Sequence, residues 1–393
     1  MLHRQELLMR IGIIDADLLG RKKHRFPNLA SEKISGYWND KGAETRLLTS
    51  YSDFDQYDKV YISKVFTDTP VPDFVVGLPN VELGGTGFFF DKAPNLPAQI
   101  EHHMPNYHLY DEWISNEIEK GREQAKLKGK AFNKAVYSVQ FKEYTDYSIG
   151  FLTRGCFRKC GFCVNRKYNH VFCASKLEEF LDPSRRKICL LDDNFFGANP
   201  RTWMPLLEQI IETDKPFKFK QGLDERLLNK DICNILFRAN YDGDYTFAFD
   251  NIKDYELINQ KLALIRDHTD NTRIKFYVLV GFESVDATDI ENAFKRIELL
   301  MSYHCLPYIM RYQNKNESPW KGSPYRSMYV QLARWCNQPS IFKKMSFRQY
   351  CEANQARAKT ERICVPMQTL IDFEKEHPQI AKSYFDLRYE DYF

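Results

Sequence analysis

Three thiols stand within eight residues in the run Gly150-Phe151-Leu152-Thr153-Arg154-Gly155-Cys156-Phe157-Arg158-Lys159-Cys160-Gly161-Phe162-Cys163. Their spacing, C-x3-C-x2-C, follows an apolar stretch (Ile149, Phe151, Leu152) that reads as a strand entering a tight glycine-containing loop. Such a loop can wrap one metal centre. Thiolates are soft ligands that suit zinc or iron-sulfur clusters, and both usually want four donors. Here there are three, because His170 and Cys173 lie seven or more residues further on, beyond a run with no turn signal. A centre held by three cysteines leaves one metal position open to a substrate or cofactor, as a catalytic zinc site does and a structural one does not. The spacing therefore predicts chemistry.

The pattern C-x3-C-x-aromatic-C after a strand resembles the cysteine loop of the radical S-adenosylmethionine (SAM) superfamily. That resemblance implies a four-iron four-sulfur cluster on Cys156, Cys160 and Cys163, with SAM chelating the open iron through its amino and carboxylate groups. It further implies that an electron from the cluster cleaves SAM to methionine and a 5'-deoxyadenosyl radical, which takes a hydrogen atom from a substrate. Phe162 then lies beside the adenine. An electron donor such as flavodoxin or ferredoxin is the implied partner, and such an enzyme is sensitive to oxygen. The competing reading is a non-catalytic iron-sulfur or zinc protein acting as a nucleic-acid-binding or sensor module.

The elements that would position this loop are legible as alternating patterns. From 147 to 312 strand and helix alternate six times. Strands are predicted at Ser148 to Arg154, Ile188 to Asp192, Lys218 to Gln221, Tyr245 to Phe249, Lys275 to Val280 and Pro307 to Arg311. Helical patterns fall between them, near 176–181, 200–213, 226–239, 252–267 and 286–303. Six such units make a parallel, incomplete barrel, which matches the partial (β/α)6 TIM-type barrel of the superfamily. In β/α folds chemistry sits where strands end, so the polar residues there become candidates. By the resemblance, Asp192, Asp193 and Asn194 lie near the SAM ammonium, and Gln221, Asp224 and Arg226 near its carboxylate and ribose. Asp250 ends the fourth strand, Glu283 belongs to a turn against the adenine, and Arg311 points to the substrate side. Each carboxylate has an alternative use as a cap for the helix that follows it.

Ahead of the barrel, Ile11-Gly12-Ile13-Ile14-Asp15 reads as a buried parallel strand and 28–40 as a helix with Leu29, Ile34, Tyr37 and Trp38 on one side. Further short strands are predicted at Thr45 to Leu48, Lys59 to Ser63, Phe74 to Val76 and Val81 to Leu83. The alternation argues for a Rossmann-like domain over 9–95. Its place resembles the cobalamin-binding-type domain of one branch of the superfamily, yet the cobalamin-ligating Asp-x-His-x-x-Gly motif is missing: Asp15-Ala16-Asp17-Leu18 stands there, and His24 has no Asp two residues before it. A degenerate domain without cobalamin is expected. Gly84-Gly85-Thr86-Gly87 reads as a tight turn, with a phosphate cradle as the alternative. Lys22-Lys23-His24-Arg25 reads as a solvated loop.

Residues 96–146 form a connector in which His102, His103 and His108 are read as structural, and 313–393 a mainly helical extension. Between Lys315 and Arg362 the extension carries ten Lys or Arg against three Glu, interleaved with Trp320, Tyr325, Tyr329, Trp335, Phe342, Phe347 and Tyr350. That mixture suits a helical cap with its aromatics inward, or a surface for single-stranded nucleic acid. A hydrophobic content of 43%, a net charge of +3 and no long apolar run describe a cytoplasmic globular protein away from membranes. Ten cysteines at irregular spacing outside the loop are not a disulfide framework, and Cys189, Cys233 and Cys305 read as small buried hydrophobes. Nothing in the residues names the substrate, which could be nucleic acid, peptide or small molecule.

Overall fold

Ile11, Ile13 and Ile14 are apolar on both sides of one strand, and that strand, β1 (Arg10–Asp15), is buried at the centre of a parallel sheet. The computed structural model describes residues 8–22, 24–313, 320, 322–359 and 361–392. The chain forms two compact units, Met1–Lys159 with Cys163–Lys220, and Cys160–Phe162 with Gln221–Phe393.

In the first unit, β1 lies between β2 (Glu44–Leu47) and β3 (Lys59–Ser63), with β4 (Val81–Gly84) beyond, all parallel in the order β2-β1-β3-β4. This is the Rossmann-like sheet expected from the alternation. The helix Leu29–Asp40 follows β1, capped by Asn28, whose side chain accepts from Ser31 N. Residues 96–146 contribute to the core on this side: Tyr110, Ile114, Phe141 and Tyr144 pack with Ile11, Ile13 and Ile34. The run Phe74-Val75-Val76 is not a strand. Asp73–Val75 is a 3-10 turn with Pro72 at its cap, where the ring fixes φ and removes a donor. The glycine cluster is a turn closed on Lys64: Gly87 N donates to Lys64 O at 2.9 Å, and a Cβ on Gly85 (φ +99°) would stand 2.2 Å from that oxygen.

Glu32, on the inner side of the same helix, is fully buried, and neither carboxylate oxygen has a hydrogen-bond partner among the described residues. Burial pushes its pKa up to about 8, with the Arg185 guanidinium opposing the shift and Asp15 adding to it.

The six later strands are all present in two parallel sheets of three. β5 (Tyr147–Gly150), β6 (Lys187–Leu190) and β7 (Phe217–Phe219) lie in that order in the first unit. β8 (Tyr245–Ala248), β9 (Ile274–Val280) and β10 (Leu306–Arg311) lie in that order in the second. The first of these strands ends sooner than its apolar pattern: past Gly150 the N–H groups of Leu152 and Thr153 turn to the Asp192 side chain, and Thr153–Arg154 pairs antiparallel with Phe172–Cys173. Helices follow at Pro200–Glu212, Lys230–Leu236, Tyr255–Arg266 and Ala287–Ser302. The segment near 176–181 is only a 3-10 turn, Leu177–Glu179.

The extension is helical at Arg326–Cys336, Phe347–Ala356, Val365–Glu376 and Pro378–Tyr384. Trp320, Tyr329, Trp335, Phe342, Phe347 and Tyr350 are buried, while Arg334, Arg357, Lys359 and Arg362 are exposed. The aromatics therefore serve a core, as the cap reading expects. Of the basic run, Lys315 and Lys321 lie outside the described residues, as does Lys23 of the amino-terminal loop. Among the described residues no helix is long and apolar enough to cross a membrane. None of the ten cysteines, all of them among the described residues, is in a disulfide, and Cys189, Cys233 and Cys305 are buried.

Candidate active site

The first unit supplies the two ends of the cysteine loop and the carboxylates that follow β6. Gly155 has φ +92°, and a Cβ there would stand 2.1 Å from His170 O, so only glycine lets the chain turn into the loop. Cys156 Sγ accepts from Arg158 N at 3.3 Å and from Asn194 Nδ2 at 3.4 Å, and Cys163 Sγ accepts from Asn165 N at 3.3 Å. Donors aimed at half-buried sulfurs are the surroundings that thiolate ligands of a cluster require, because they spread the negative charge of the metal-sulfur unit. The donor set thus fits an iron-sulfur cluster. As the side chains stand, no group of three or more His, Cys, Asp or Glu among the described residues is gathered to hold a metal ion.

Asp192 is buried and accepts from Thr153 N and Thr153 Oγ1, both at 2.6 Å, and from Leu152 N at 3.3 Å. Burial raises its pKa to about 7 against those hydrogen bonds. Asp193 accepts from Gly155 N at 2.8 Å and Asn165 Nδ2 at 2.7 Å, and burial raises its pKa too, opposed by the Gly155 bond and Arg154.

The second unit holds a cavity of about 290 Å³ whose wall includes Cys160, Gly161 and Phe162. Phe162 meets Phe282 edge-on at 5.4 Å, and Phe282 meets Tyr312 edge-on at 4.9 Å. The same cavity is also lined by the polar residues Arg226, Asp250, Asn251, Asp254 and Glu283. Arg226 Nε binds Asp224 at 2.7 Å and its Nη1 reaches Asp254 at 3.5 Å, while Asn251 Nδ2 donates to Glu283 at 3.1 Å. Arg296, buried and part of the same lining, donates from Nη1 to the carbonyls of Phe249, Asp250 and Leu279 at 2.9–3.0 Å and so pins the ends of β8 and β9. Burial lifts Asp250 to about 6, restrained by Arg296 and Arg226, and lifts Glu225 to about 8, with Asp224 adding to the shift. The cavity joins an aromatic wall to a carboxylate-rich one, a combination suited to a flat base attached to a hydroxylated or cationic group.

No family model matches the chain, and no curated protein does. Among solved structures, the chain resembles the cobalamin-dependent S-adenosylmethionine radical enzyme OxsB with aqua-cobalamin and S-adenosylmethionine bound: identity is 11%, the TM-score 0.46, and the match covers 83% of this chain and 55% of that one. A second structure of the same enzyme with aqua-cobalamin bound matches at 11% identity and a TM-score of 0.36, over 83% of this chain and 52% of that one. The chain spans about half the length of these proteins.

Of the residues singled out in the sequence, Cys160, Phe162, Arg226, Asp250 and Glu283 share the second unit's cavity. Asp193 and Asn194 touch the cysteine loop, and Asp192 braces the strand leading into it. Gln221 and Arg311 are exposed and, with Asp224, are not among the residues lining the cavity, although Asp224 holds Arg226 there. Sequence reasoning missed Arg296, Asp254, Asp289 and Asn292, which line the same space. Arg296 had a usable signal: it falls on the apolar stripe of Ala287–Ser302 with Ala293, Ile297 and Leu300. The three connector histidines each face a carboxylate, His102 with Glu179, His103 with Asp40 and His108 with Asp111. At the carboxyl ends of β1 and β3, Tyr110 donates to Asp15 and Asn28 to Ser63, and Asp17 accepts from Val65 N, so these polar groups are bonded to one another.

Proposed function

We propose that the protein is a radical SAM enzyme, with Cys156, Cys160 and Cys163 holding a four-iron four-sulfur cluster and the cavity of the second unit receiving the adenosyl part of SAM. The observation that carries the reading is the C-x3-C-x2-C loop, in which Cys156 and Cys163 Sγ accept N–H groups. When bound, the cluster supplies the single electron that cleaves SAM to methionine and a 5'-deoxyadenosyl radical. The chain's own part is binding and exclusion. Phe162 and Phe282 offer aromatic rings to the adenine, the carboxylates of the same lining offer acceptors to hydroxyl groups or charge to a cation, and Arg296 fixes strand ends beside them. Excluding water and oxygen protects a radical until it meets one C–H bond.

The proposal includes a low-potential electron donor such as flavodoxin or ferredoxin, a cytoplasmic setting and no cobalamin. The missing Asp-x-His-x-x-Gly motif supports the last point, since Asp15-Ala16-Asp17-Leu18 stands in its place. Anaerobic reconstitution with iron and sulfide, then dithionite and SAM, tests the reading through 5'-deoxyadenosine. The wild type is expected to release it slowly even without substrate, and Cys160→Ser to release none. A reconstituted wild type that binds iron and leaves SAM intact would favour the sensor reading.

A further inference from the structure

Asp193 offers two carboxylate oxygens, and each is taken by one end of the cysteine loop. Gly155, one residue before Cys156, donates its N–H to Oδ2, and Asn165, two residues after Cys163, donates its amide to Oδ1. Asn165 also donates its own N–H to Cys163 Sγ, so the Asp193 bond orients a residue that touches a ligand sulfur. The neighbours act on the same loop: buried Asn194 donates to Cys156 Sγ, and buried Asp192 takes the N–H and hydroxyl of Thr153. Three consecutive side chains after β6 are thus spent on the loop and its entry.

We propose that Asp192-Asp193-Asn194 is a clamp that shapes the cysteine loop and, through Asn194, sets the electron affinity of the cluster. This rests on the reading that the three thiolates hold a cluster, and it gives the tripeptide a task other than binding the SAM ammonium. Asp193 is a positioning residue: closing a loop at both ends removes entropy that metal binding must otherwise overcome. Asn194 acts electrostatically. Reduction adds one negative charge to the metal-sulfur unit, and an N–H directed at a ligand sulfur stabilises that charge, which raises the potential. The Arg158 and Asn165 donors belong to the backbone, whereas the Asn194 donor is a side chain that a substitution can remove.

Two measurements on the full-length protein separate the clamp from the cluster. Amide hydrogen exchange on the apo protein needs no metal. Gly155 is expected to exchange at least tenfold faster in Asp193→Ala, and faster by a smaller factor in Asp193→Asn, which keeps one acceptor. Exchange equal to wild type in both overturns the clamp. On anaerobically reconstituted protein, a redox titration followed by electron paramagnetic resonance compares wild type with Asn194→Leu and with Asn194→Asp, which keeps the shape and loses the N–H. At the potential where the wild type is half reduced, both variants are expected to show a reduced-to-oxidised ratio lower by about threefold to tenfold; a tenfold change is about 59 mV for a one-electron couple. Affinity for SAM should stay within about twofold in Asn194→Leu. Unchanged potential with weakened SAM binding overturns the assignment in favour of an ammonium contact. A wild type that takes up no iron overturns the proposed function and the potential-setting role together, while the clamp stands or falls on exchange.

Discussion

Replacing Glu32 by Gln should flatten the dependence of stability on pH. In the folded chain this carboxyl has no exposed surface and titrates near about 8, against 4.5 for an ordinary glutamate. Below pH 4.5 folded and unfolded chains both carry the proton, and stability is at its highest. Between 4.5 and about 8 the unfolded chain has released a proton that the folded chain keeps, so stability falls by about 1.36 kcal/mol per pH unit, about 5 kcal/mol in all. Above about 8 both forms are ionised and the loss is complete. Glutamine has no proton to lose. Urea unfolding of both proteins from pH 5 to pH 7.5 gives the difference: the stability of Glu32→Gln relative to wild type should rise by about 3 kcal/mol over that interval. Other buried acids are present in both chains and cancel to first order. Parallel curves would refute the reasoning, because they would mean that water or a cation reaches Glu32 and restores its ordinary titration.

Gly155→Ala should strain the entry to the cysteine loop by about 1–3 kcal/mol, since φ there is +92° and the new methyl would stand 2.1 Å from His170 O. Iron content after reconstitution should drop several-fold while far-ultraviolet circular dichroism is unchanged; full iron loading would count against the need for that turn. Arg296→Met strips the donor from three strand-end carbonyls, at about 1–3 kcal/mol for each left unpaired. The melting temperature should fall by at least about 6 °C and SAM binding should weaken, as differential scanning and isothermal calorimetry would record; an unaltered melting point would show that the carbonyls find other partners.

Much of the architecture was legible because strands and helices announce themselves by period. Ile11 to Asp15 and Lys275 to Val280 are rich enough in apolar and β-branched residues to be read without context, and the structure has strands at Arg10–Asp15, buried from Ile11 on, and at Ile274–Val280, where every second residue is buried. Errors arose where a side chain, not a neighbouring strand, took the backbone. The first strand after the connector stopped at Gly150 because Asp192, forty residues away, captured Leu152 and Thr153, a long-range bond that no local pattern announces. Helices expected to begin at 226 and 252 instead open on the 3-10 turns Glu225–Leu227 and Ile252–Asp254, and those turns bring Arg226 within 3.5 Å of Asp254. The cysteines were legible from spacing, since a metal loop is local in sequence. Arg296, Asp254 and Asp289 were not, since a cavity wall assembled from successive strand ends and helices has no period of its own.

On the proposed function, in which the cavity receives the adenosyl part of SAM, its unequal charge bears on which adenosine compounds it admits. Five acidic side chains line it, Asp254 and Glu283 together with Glu225, Asp250 and Asp289, whose pKa values burial raises, to about 8 for Glu225 and about 6 for Asp250, against two guanidiniums already committed to protein oxygens. A triphosphate would bring further negative charge to that wall, and each close like-charge pair costs about 4 kcal/mol at the effective dielectric of a protein surface. A sulfonium brings the opposite sign. The lining would thus turn away ATP, which shares the adenosine of SAM, so millimolar ATP should leave SAM binding unaltered in a competition titration, and displacement by ATP would contradict this account of selectivity.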